Sequence, residues 1–361
     1  MNVSENHLSQ GPSLQTRLTI MAASSAITFL LAEGLVRFAD GNAAPMIRLF
    51  EQAEDGSIQL EKEGEARIIS PRGEPWVLQT NSDGYRLPAK PISESAWIAV
   101  GDSQVMGNGV NGDAPFPAQT MLDGAHVHNA GVPGYGIADA LWLATQHLDA
   151  HPAKGVIVVV NQMNDWDEAD AQVGNRYTVR GGWLLDTEDA SGPRGTFLAS
   201  PLSSSHLLFL VGHLLLRDWD ATAPPTPTWM SDPASQRATT LRFAQAVKQF
   251  RLKHPDTQVV PVYLPADLYA AADRLSESPL TPHVESVETA PWEDSRLRDQ
   301  VMFAFADLDI LDLTPTLQGR ADAFLTGDYH LSKQGHTLVA RAIEAHVAAI
   351  AGSEATKSQR P

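Results

Sequence analysis

The stretch Trp97-Ile98-Ala99-Val100-Gly101-Asp102-Ser103 is an apolar run that ends in a Gly-Asp-Ser turn. Four apolar residues in succession predict a buried strand at 97–100, and the turn signal after them predicts a passage into a helix. The serine would then stand at the carboxyl end of the strand, beside the free N–H groups of the helix N-terminus. Such a place suits a nucleophile whose reaction creates an oxyanion. Gly-Asp-Ser also makes ordinary turns, so this stretch alone favours a structural turn.

Short apolar runs alternate with amphipathic segments on the C-terminal side of this stretch. Such alternation predicts an α/β fold with a parallel central sheet and helices on both faces, with the site at the carboxyl ends of the strands. The predicted strands are 97–100, 126–129, 155–160, 258–264 and 310–313, and the predicted helices are 116–122, 137–151, 235–254, 292–305 and 332–350.

The alternation is interrupted at about 168–233, after the third predicted strand. This segment contains a strand-like piece at 177–185, an apolar run at 207–216 and the proline-rich loop Ala223-Pro224-Pro225-Thr226-Pro227. The apolar run is too short to span a bilayer and is predicted to be a packed helix. We interpret the segment as an insertion that either shapes the mouth of the substrate site or decorates the fold.

A second chemical signal lies near the C-terminus, in Gly327-Asp328-Tyr329-His330-Leu331-Ser332. Ser332 is a plausible N-cap for the last helix, which places His330 in the loop before it, at the same edge of the sheet. Asp328 could accept a hydrogen bond from the imidazole and hold its tautomer. For Asp-x-His alone, a capped surface loop is the simpler interpretation.

Two further strand ends carry residues of the same chemistry. The segment Asn129-Ala130-Gly131-Val132-Pro133-Gly134-Tyr135-Gly136 follows the second strand, and Asn164-Asp165 follows the third. Glycine permits close backbone approach and positive φ, and an asparagine amide can donate to an oxyanion. Serine, glycine and asparagine thus follow three successive strands, and aspartate and histidine occupy the last loop.

With these residues in this order, the sequence resembles the SGNH hydrolases, also called GDSL-like esterases and lipases, over about residues 76–350. The resemblance implies a three-layer α/β/α flavodoxin-like fold. It implies Ser103 as nucleophile and first oxyanion donor, Gly134 and Asn164 as the other donors, His330 as base and Asp328 as its orienting acid. The lead-in Asn81-Ser82-Asp83-Gly84-Tyr85-Arg86 resembles that of membrane-tethered bacterial members, some of which acetylate or deacetylate exopolysaccharides.

The sequence departs from the family pattern in two places. Gln162 stands two residues before Asn164, where the family usually has glycine, and this bulkier side chain would narrow the pocket or supply another amide. Asp328 precedes His330 by two residues, where the family commonly has three. If Asp328 does not reach the imidazole, Asp322 is the alternative acid.

The function expected from these residues is that of a serine esterase on O-acetyl or other short acyl esters of a glycan or lipid at the cell envelope. Two alternatives stay open: an O-acyltransferase with the same site, and a non-catalytic carbohydrate- or lipid-binding module. We expect neither a cofactor nor a metal.

The N-terminus predicts a membrane helix. An apolar run from 18 to 32 follows Arg17 and continues past Glu33 to Val36, long enough for a tilted span but shorter than the usual ~20 residues. We expect an uncleaved anchor at 1–40, a β-rich lead-in at 41–93, the hydrolase domain at 94–352 outside the cytoplasm, and a disordered tail at 353–361. Cleavage near Asn42-Ala43-Ala44, with secretion, is the alternative, and a buried helix of the domain is the third.

Composition excludes several classes of function. The formal net charge of −17 argues against nucleic acid as a partner, and the absence of cysteine excludes disulfides, thiolate zinc sites and cysteine nucleophiles. Other candidates are expected to be structural: His126 and His128, His336, a solvated acidic run at Asp165, Asp167, Glu168 and Asp170, and the packed aromatic side chains of Trp166, Trp183 and Trp229.

Overall fold

The strands of the protein fall into one central sheet and three two-stranded ribbons. The computed structural model describes residues 13–39, 41, 43–44, 46–69, 75–88, 96–122, 124–169, 172–215, 227–231, 233–284 and 290–358. In chain order the strands are β1 (Phe50–Gln52), β2 (Ile58–Leu60), β3 (Glu65–Ile68), β4 (Trp76–Gln79), β5 (Trp97–Gly101), β6 (Met121–Leu122), β7 (Ala125–Gly131), β8 (Gly155–Asn161), β9 (Tyr177–Arg180), β10 (Trp183–Asp186), β11 (Gln258–Leu264) and β12 (Leu311–Asp312).

The central sheet has the order β12-β11-β8-β5-β7-β6, and all its pairs are parallel except β6 with β7. Setting aside the short edge strand β6, the strands run 2-1-3-4-5 in sequence order, which is the flavodoxin-like doubly wound arrangement. The predicted α/β fold class is therefore confirmed, and all five predicted strands are present within one or two residues.

Helices cover both faces of this sheet. In chain order, the α-helices of the described residues are α1 (Leu14–Ala39), α2 (Ser103–Met106), α3 (Phe116–Gln119), α4 (Ile137–Ala150), α5 (Val173–Arg176), α6 (Pro193–Ala199), α7 (His206–Leu215), α8 (Thr228–Ser231), α9 (Pro233–Lys253), α10 (Asp267–Ala270), α11 (Thr281–Val284), α12 (Arg296–Ala304), α13 (Thr314–Leu317) and α14 (Lys333–Ser358).

The first sheet strand shows how the sequence builds the three layers. Successive side chains of β5 point to opposite faces, so Ile98 and Val100 join the core under α4, α9 and α12, whereas Trp97 and Ala99 join the core under α3, α13 and α14. Both faces are buried, which is why the strand is an unbroken apolar run and not an alternation of apolar and polar residues.

Three predicted helices differ from the observed ones. The helix predicted at 116–122 ends at Gln119, because Thr120 caps it and the next two residues pair with β7 at the sheet edge. The helix predicted at 292–305 is divided at Asp294, whose carboxylate accepts from the N–H of Arg296 and begins α12. The last helix runs on to Ser358, so the described part of the predicted disordered tail is helical; Gly352 alone does not end it.

The lead-in and the insertion contact each other as well as the sheet. β1 pairs with β2 and β3 with β4, and Arg48 forms a bridge with Trp183 of the hairpin β9–β10. Arg86 pairs with Asn129 of β7. The proline-rich loop predicted at 223–227 lies outside the described residues except for Pro227. The boundaries drawn at 40, 93 and 352 stay predictions.

The helix α1 is longer than the predicted apolar run and none of its residues is buried. By length and composition it could cross a membrane. Its Glu33 carboxylate accepts hydrogen bonds from the Ser205 hydroxyl (2.7 Å) and from the N–H groups of His206 (3.0 Å) and Leu207 (2.9 Å) at the start of α7. α7 also packs through Phe209 on Trp183, whereas Leu210 is 44% exposed, so the predicted packed helix is packed on one side only.

Candidate active site

The turn after β5 presents Ser103 at the start of α2. The N-cap Asp102 accepts from the N–H of Gln104 at 2.9 Å, and Gly107 closes the helix at φ +84°, donating to the carbonyl of Ser103. Gly101, at φ +153°, allows the turn, because a Cβ there would lie 2.6 Å from Val105. This turn fixes the Ser103 side chain at the carboxyl edge of the sheet, where the residue is 8% exposed.

The loop before α14 brings two of the predicted residues to Ser103. His330 Nε2 lies 2.8 Å from Ser103 Oγ, and His330 Nδ1 lies 2.7 Å from Asp328 Oδ1. Burial alone would raise the pKa of Asp328, but the charge and hydrogen bonds of His330 outweigh it and hold that pKa below its ordinary value. An ionised Asp328 favours the tautomer with Nδ1 protonated, which leaves Nε2 free to accept the serine proton.

The alternative acid does not reach this histidine. Asp322 has a side chain that is 66% exposed and lies 3.7 Å from Arg320. The two-residue spacing between Asp328 and His330 is sufficient because Asp328 Oδ1 also accepts from the backbone N–H of His330 at 3.2 Å, closing a tight turn. The shorter spacing therefore does not separate the acid from the imidazole.

Two buried side chains hold the histidine loop, and sequence reasoning missed both. Gln104 donates to the carbonyl of Tyr329 (3.1 Å) and accepts from the N–H of Leu331 (3.0 Å), so it binds the backbone on both sides of His330. Arg274 donates to the carbonyls of Leu325 and Asp328. Gln104 follows the serine directly, which is a usable signal, but no local pattern marks Arg274.

A third buried side chain, Arg86, supports α2 from the lead-in. Its guanidinium donates to the carbonyls of Met106 (2.8 Å), Gly107 (2.6 Å) and Val110. The guanidinium also lies over the ring of Trp76. Burial lowers the pKa of Arg86 to about 9. The lead-in motif at 81–86 thus has a physical role: Arg86 binds the carbonyl end of the short helix that begins with Ser103.

The other two predicted donors stand at the next strand ends. Gly134 has φ +83°, and its carbonyl accepts from Arg176 at 2.8 Å. Asn164 accepts from Asn161 Nδ2 (2.7 Å) and donates one N–H to Glu168 (2.9 Å). The N–H groups of Ser103 and Gly134 have no acceptor among the described residues, whereas the Asn164 amide also hydrogen-bonds to Asp102.

A hydrogen-bond network joins these strand ends to the serine turn. Asn161 Nδ2 also donates to Asp102 at 2.7 Å, and Glu168 lies 3.2 Å from Arg176, the residue that binds Gly134. Arg176 belongs to α5 in the insertion, so one end of the insertion reaches the Gly134 turn. This supports the interpretation of the insertion as part of the site.

The acidic run after β8 is the solvated loop that the sequence predicted only in part: Asp167 is exposed, whereas Asp165 and Glu168 are shielded from solvent. Asp165 is 2% exposed and accepts from the N–H of Asn161, and the side chain of Glu168 is 10% exposed. Burial raises the pKa of Asp165 well above its ordinary value and that of Glu168 to about 8, although Arg176 lowers the latter. Asp170 lies outside the described residues.

The remaining candidates pack as expected. Trp166, Trp183 and Trp229 are at most 4% exposed, and the buried His336 accepts from the N–H of Phe116. His128 is buried as well. No group of three or more metal-ligating side chains is present in the part of the chain that the structure describes.

Comparison with known proteins gives a family likeness at the level of structure only. No family model and no curated protein matches the chain. Among solved structures it is similar to a member of the lipolytic protein G-D-S-L family from Veillonella parvula (10% identity, 69% of this chain and 95% of that one, TM-score 0.35). It is also similar to a carbohydrate esterase family 2 enzyme from Corynascus thermopiles (11% identity, 76% of this chain and 71% of that one, TM-score 0.38). A third similar structure is a catalytic mutant of an acetylxylan esterase from Geobacillus stearothermophilus (14% identity, 72% of this chain and 96% of that one, TM-score 0.32). With TM-scores below 0.5, this likeness says nothing of the function of the chain.

Proposed function

We propose that this chain is a serine esterase in which Ser103 attacks an acyl ester. The observation that carries the proposal is the continuous chain from Asp328 Oδ1 to His330 Nδ1 (2.7 Å) and from His330 Nε2 to Ser103 Oγ (2.8 Å). A structural turn would need no such chain, and each distance lies within hydrogen-bond reach for proton transfer.

The reaction then has two halves. His330 Nε2 takes the hydroxyl proton as Ser103 Oγ bonds to the carbonyl carbon, and the oxyanion accepts from Ser103 N–H, Gly134 N–H and the Asn164 amide. Collapse breaks the ester C–O bond, and the imidazolium returns its proton to the leaving alcohol. Water, deprotonated by His330, then releases the acyl group from Ser103.

The acyl group that fits best is short. A Cβ placed on Gly134 would lie 3.2 Å from the ring of Tyr177 and 3.4 Å from Leu184, so the hairpin β9–β10 closes over the Gly134 turn. We infer that this closure limits the room for a long acyl chain beside the Gly134 N–H. We therefore propose O-acetyl or similarly short esters, carried by a glycan or lipid at the cell envelope.

The full chain in detergent should hydrolyse 4-nitrophenyl acetate faster than the octanoate ester. Turnover of the acetate at a rate that depends on Ser103 supports the esterase. A chain that turns over no nitrophenyl ester, and transfers no acetyl group to a sugar, is a binding module and contradicts the proposal.

Asp328→Asn should lower kcat by about two to four orders of magnitude, because an asparagine can donate to Nδ1 and favour the unproductive tautomer. The expected loss is in kcat with little change in KM. Asp322→Asn is the matched control, since that carboxylate is exposed and lies away from His330. Equal losses in the two variants would contradict the assignment of Asp328.

We also propose that α1 is retained as a membrane anchor, with the catalytic domain outside the cytoplasm. The hydrogen bonds that Glu33 accepts from Ser205, His206 and Leu207 support retention, because they join α1 to the start of α7. The intact mass of the protein from washed membranes should include residues 14–39. A mature chain that begins after residue 39 and stays in the soluble fraction would show a cleaved leader instead.

A further inference from the structure

The apolar length of α1 extends beyond Glu33, the acidic residue of this helix. The apolar run 18–32 is about 22 Å long at ~1.5 Å per residue, whereas the hydrocarbon core of a bilayer is about 30 Å thick. The exposed side chains of Leu35 and Phe38 bring the apolar length to about 31 Å. A bilayer that covers all of these side chains therefore also covers Glu33.

Glu33 has the partners that a carboxylate needs at such a depth. It accepts hydrogen bonds from the hydroxyl of Ser205 and from the backbone N–H groups of His206 and Leu207. It also accepts from the guanidinium of Arg37 at 2.6 Å, which pairs its charge. A charge is tolerated in an apolar medium when it is paired and hydrogen-bonded. Because three of these donors stand at the start of α7, this helix begins at the depth of Glu33.

α7 and the short turn before it carry apolar side chains on the outer surface of the protein. Leu202 is 59% exposed, Leu210 44% and Val211 38%. Phe209 of the same helix packs on Trp183 of the hairpin β9–β10, with ring centroids 5.3 Å apart. One side of α7 is therefore fixed to the domain, α7 also packs on α1, and exposed apolar side chains lie beside that contact.

The sequence around α7 contains no charged side chains. No Asp, Glu, Lys or Arg occurs from 195 to 216, although such residues make up 19% of the chain and give it a net charge of −17. Acidic side chains would be repelled by an anionic lipid surface, and any charged side chain costs free energy on entering hydrocarbon. The segment that adjoins the membrane helix thus has the composition that lipid contact requires, and its continuity with α1 favours lipid over a soluble partner.

We propose that α7 is an interfacial helix that docks the catalytic domain on a phospholipid bilayer. Leu202, Leu210 and Val211 insert among the lipid acyl chains next to the end of α1, to a depth of about 5–10 Å. The proposal rests on the proposed retention of α1 as a membrane anchor. Arg176, near the other end of the insertion, binds the carbonyl of Gly134, so the insertion would contact both the membrane and the candidate site.

Because the chain contains no cysteine, single cysteines can report lipid contact at chosen positions. Full-length Leu202→Cys and Leu210→Cys proteins are labelled with bimane and reconstituted into phosphatidylcholine vesicles that contain nitroxide lipids. Ile27→Cys, at the middle of α1, reports the anchor, and Leu252→Cys, exposed at the end of α9 that leads into β11, is the matched control. Nitroxides near the headgroup should lower the fluorescence at 202 and 210 about twofold or more, and nitroxides near the chain end should act most on position 27. The label at 252 should keep its intensity.

The outcomes separate the docking from the anchor. Quenching at position 27, with positions 202 and 210 no more quenched than 252, would overturn the docking and leave the anchor standing. An unquenched Leu210→Cys label, together with a disulfide dimer when the unlabelled variant is oxidised, would assign the surface to a second copy of the chain and also overturn the lipid contact. No quenching at position 27 would refute the anchor itself, and with it the docking that rests on it.

Discussion

Ser103→Ala is expected to lower kcat on 4-nitrophenyl acetate by about four to six orders of magnitude. The reason is that the hydroxyl bound by His330 Nε2 is the group that attacks the ester in the proposed reaction. The free energy of unfolding should change little, because the Ser103 side chain makes no other hydrogen bond to the described residues. Progress curves with purified full-length protein, beside thermal unfolding of the same samples, measure both quantities.

The matched control is Ser57→Ala, a serine whose hydroxyl bonds to Asp55 in the lead-in. It should retain the parent rate. His330→Ala should lose nearly as much as Ser103→Ala, and the double variant little more than either, since the two residues act as one unit. Losses that multiply in the double variant would contradict the shared proton transfer.

Gly131→Ala is expected to reduce the free energy of unfolding by about 3 kcal/mol or more. A Cβ on Gly131 would lie 2.1 Å from the backbone nitrogen of Met106 and 2.7 Å from the carbonyl carbon of Val105. These atoms are all backbone of α2, so no flexible side chain can yield and β7 or α2 has to shift. Because α2 begins with Ser103, activity should fall in whatever fraction remains folded.

Gly352→Ala provides the comparison for that substitution. Gly352 lies in α14, its added Cβ would meet nothing within 4 Å, and its φ is not positive. Alanine there should leave the protein unchanged or raise the free energy of unfolding by about 0.5–1 kcal/mol. Chemical denaturation of the three proteins decides the matter; a Gly131→Ala variant as stable as the parent would contradict the packing of β7 on α2.

The parts of the site that could be predicted from the sequence are those fixed by local pattern. Ser103 follows a buried strand directly, and His330 with Asp328 precedes a helix, so sheet topology alone brings them to one edge. The strands could also be predicted from local pattern, because a sheet that is buried on both faces requires unbroken apolar runs such as 155–160.

The contacts of the supporting residues could not be predicted, because their partners are distant along the chain. Gln104 binds the backbone around His330, Arg274 binds the carbonyl of Asp328, and Arg176 binds that of Gly134. Each contact joins segments whose approach depends on the assembled fold. The burial of Asp165 and Glu168 was missed for a related reason: a run of acidic residues predicts solvent exposure unless a buried arginine from elsewhere in the chain covers it.

The edge of the sheet shows the limit of helical periodicity as a guide. Segment 116–122 has a helical pattern, but the helix ends after one turn because Met121 pairs with His126 of β7. Pairing with a neighbouring strand outweighs a weak local preference in so short a segment. Such competition between tertiary and local preference cannot be decided from the segment alone.

The central claim, that Ser103 is an activated nucleophile, is tested most directly by a fluorophosphonate probe on the full-length protein, followed by peptide mass spectrometry. We expect one covalent adduct, on the peptide that contains Ser103, formed in the parent and in Asp322→Asn and absent from His330→Ala. An adduct on another serine, or no adduct in the parent under conditions that label a known serine hydrolase completely, would contradict the account.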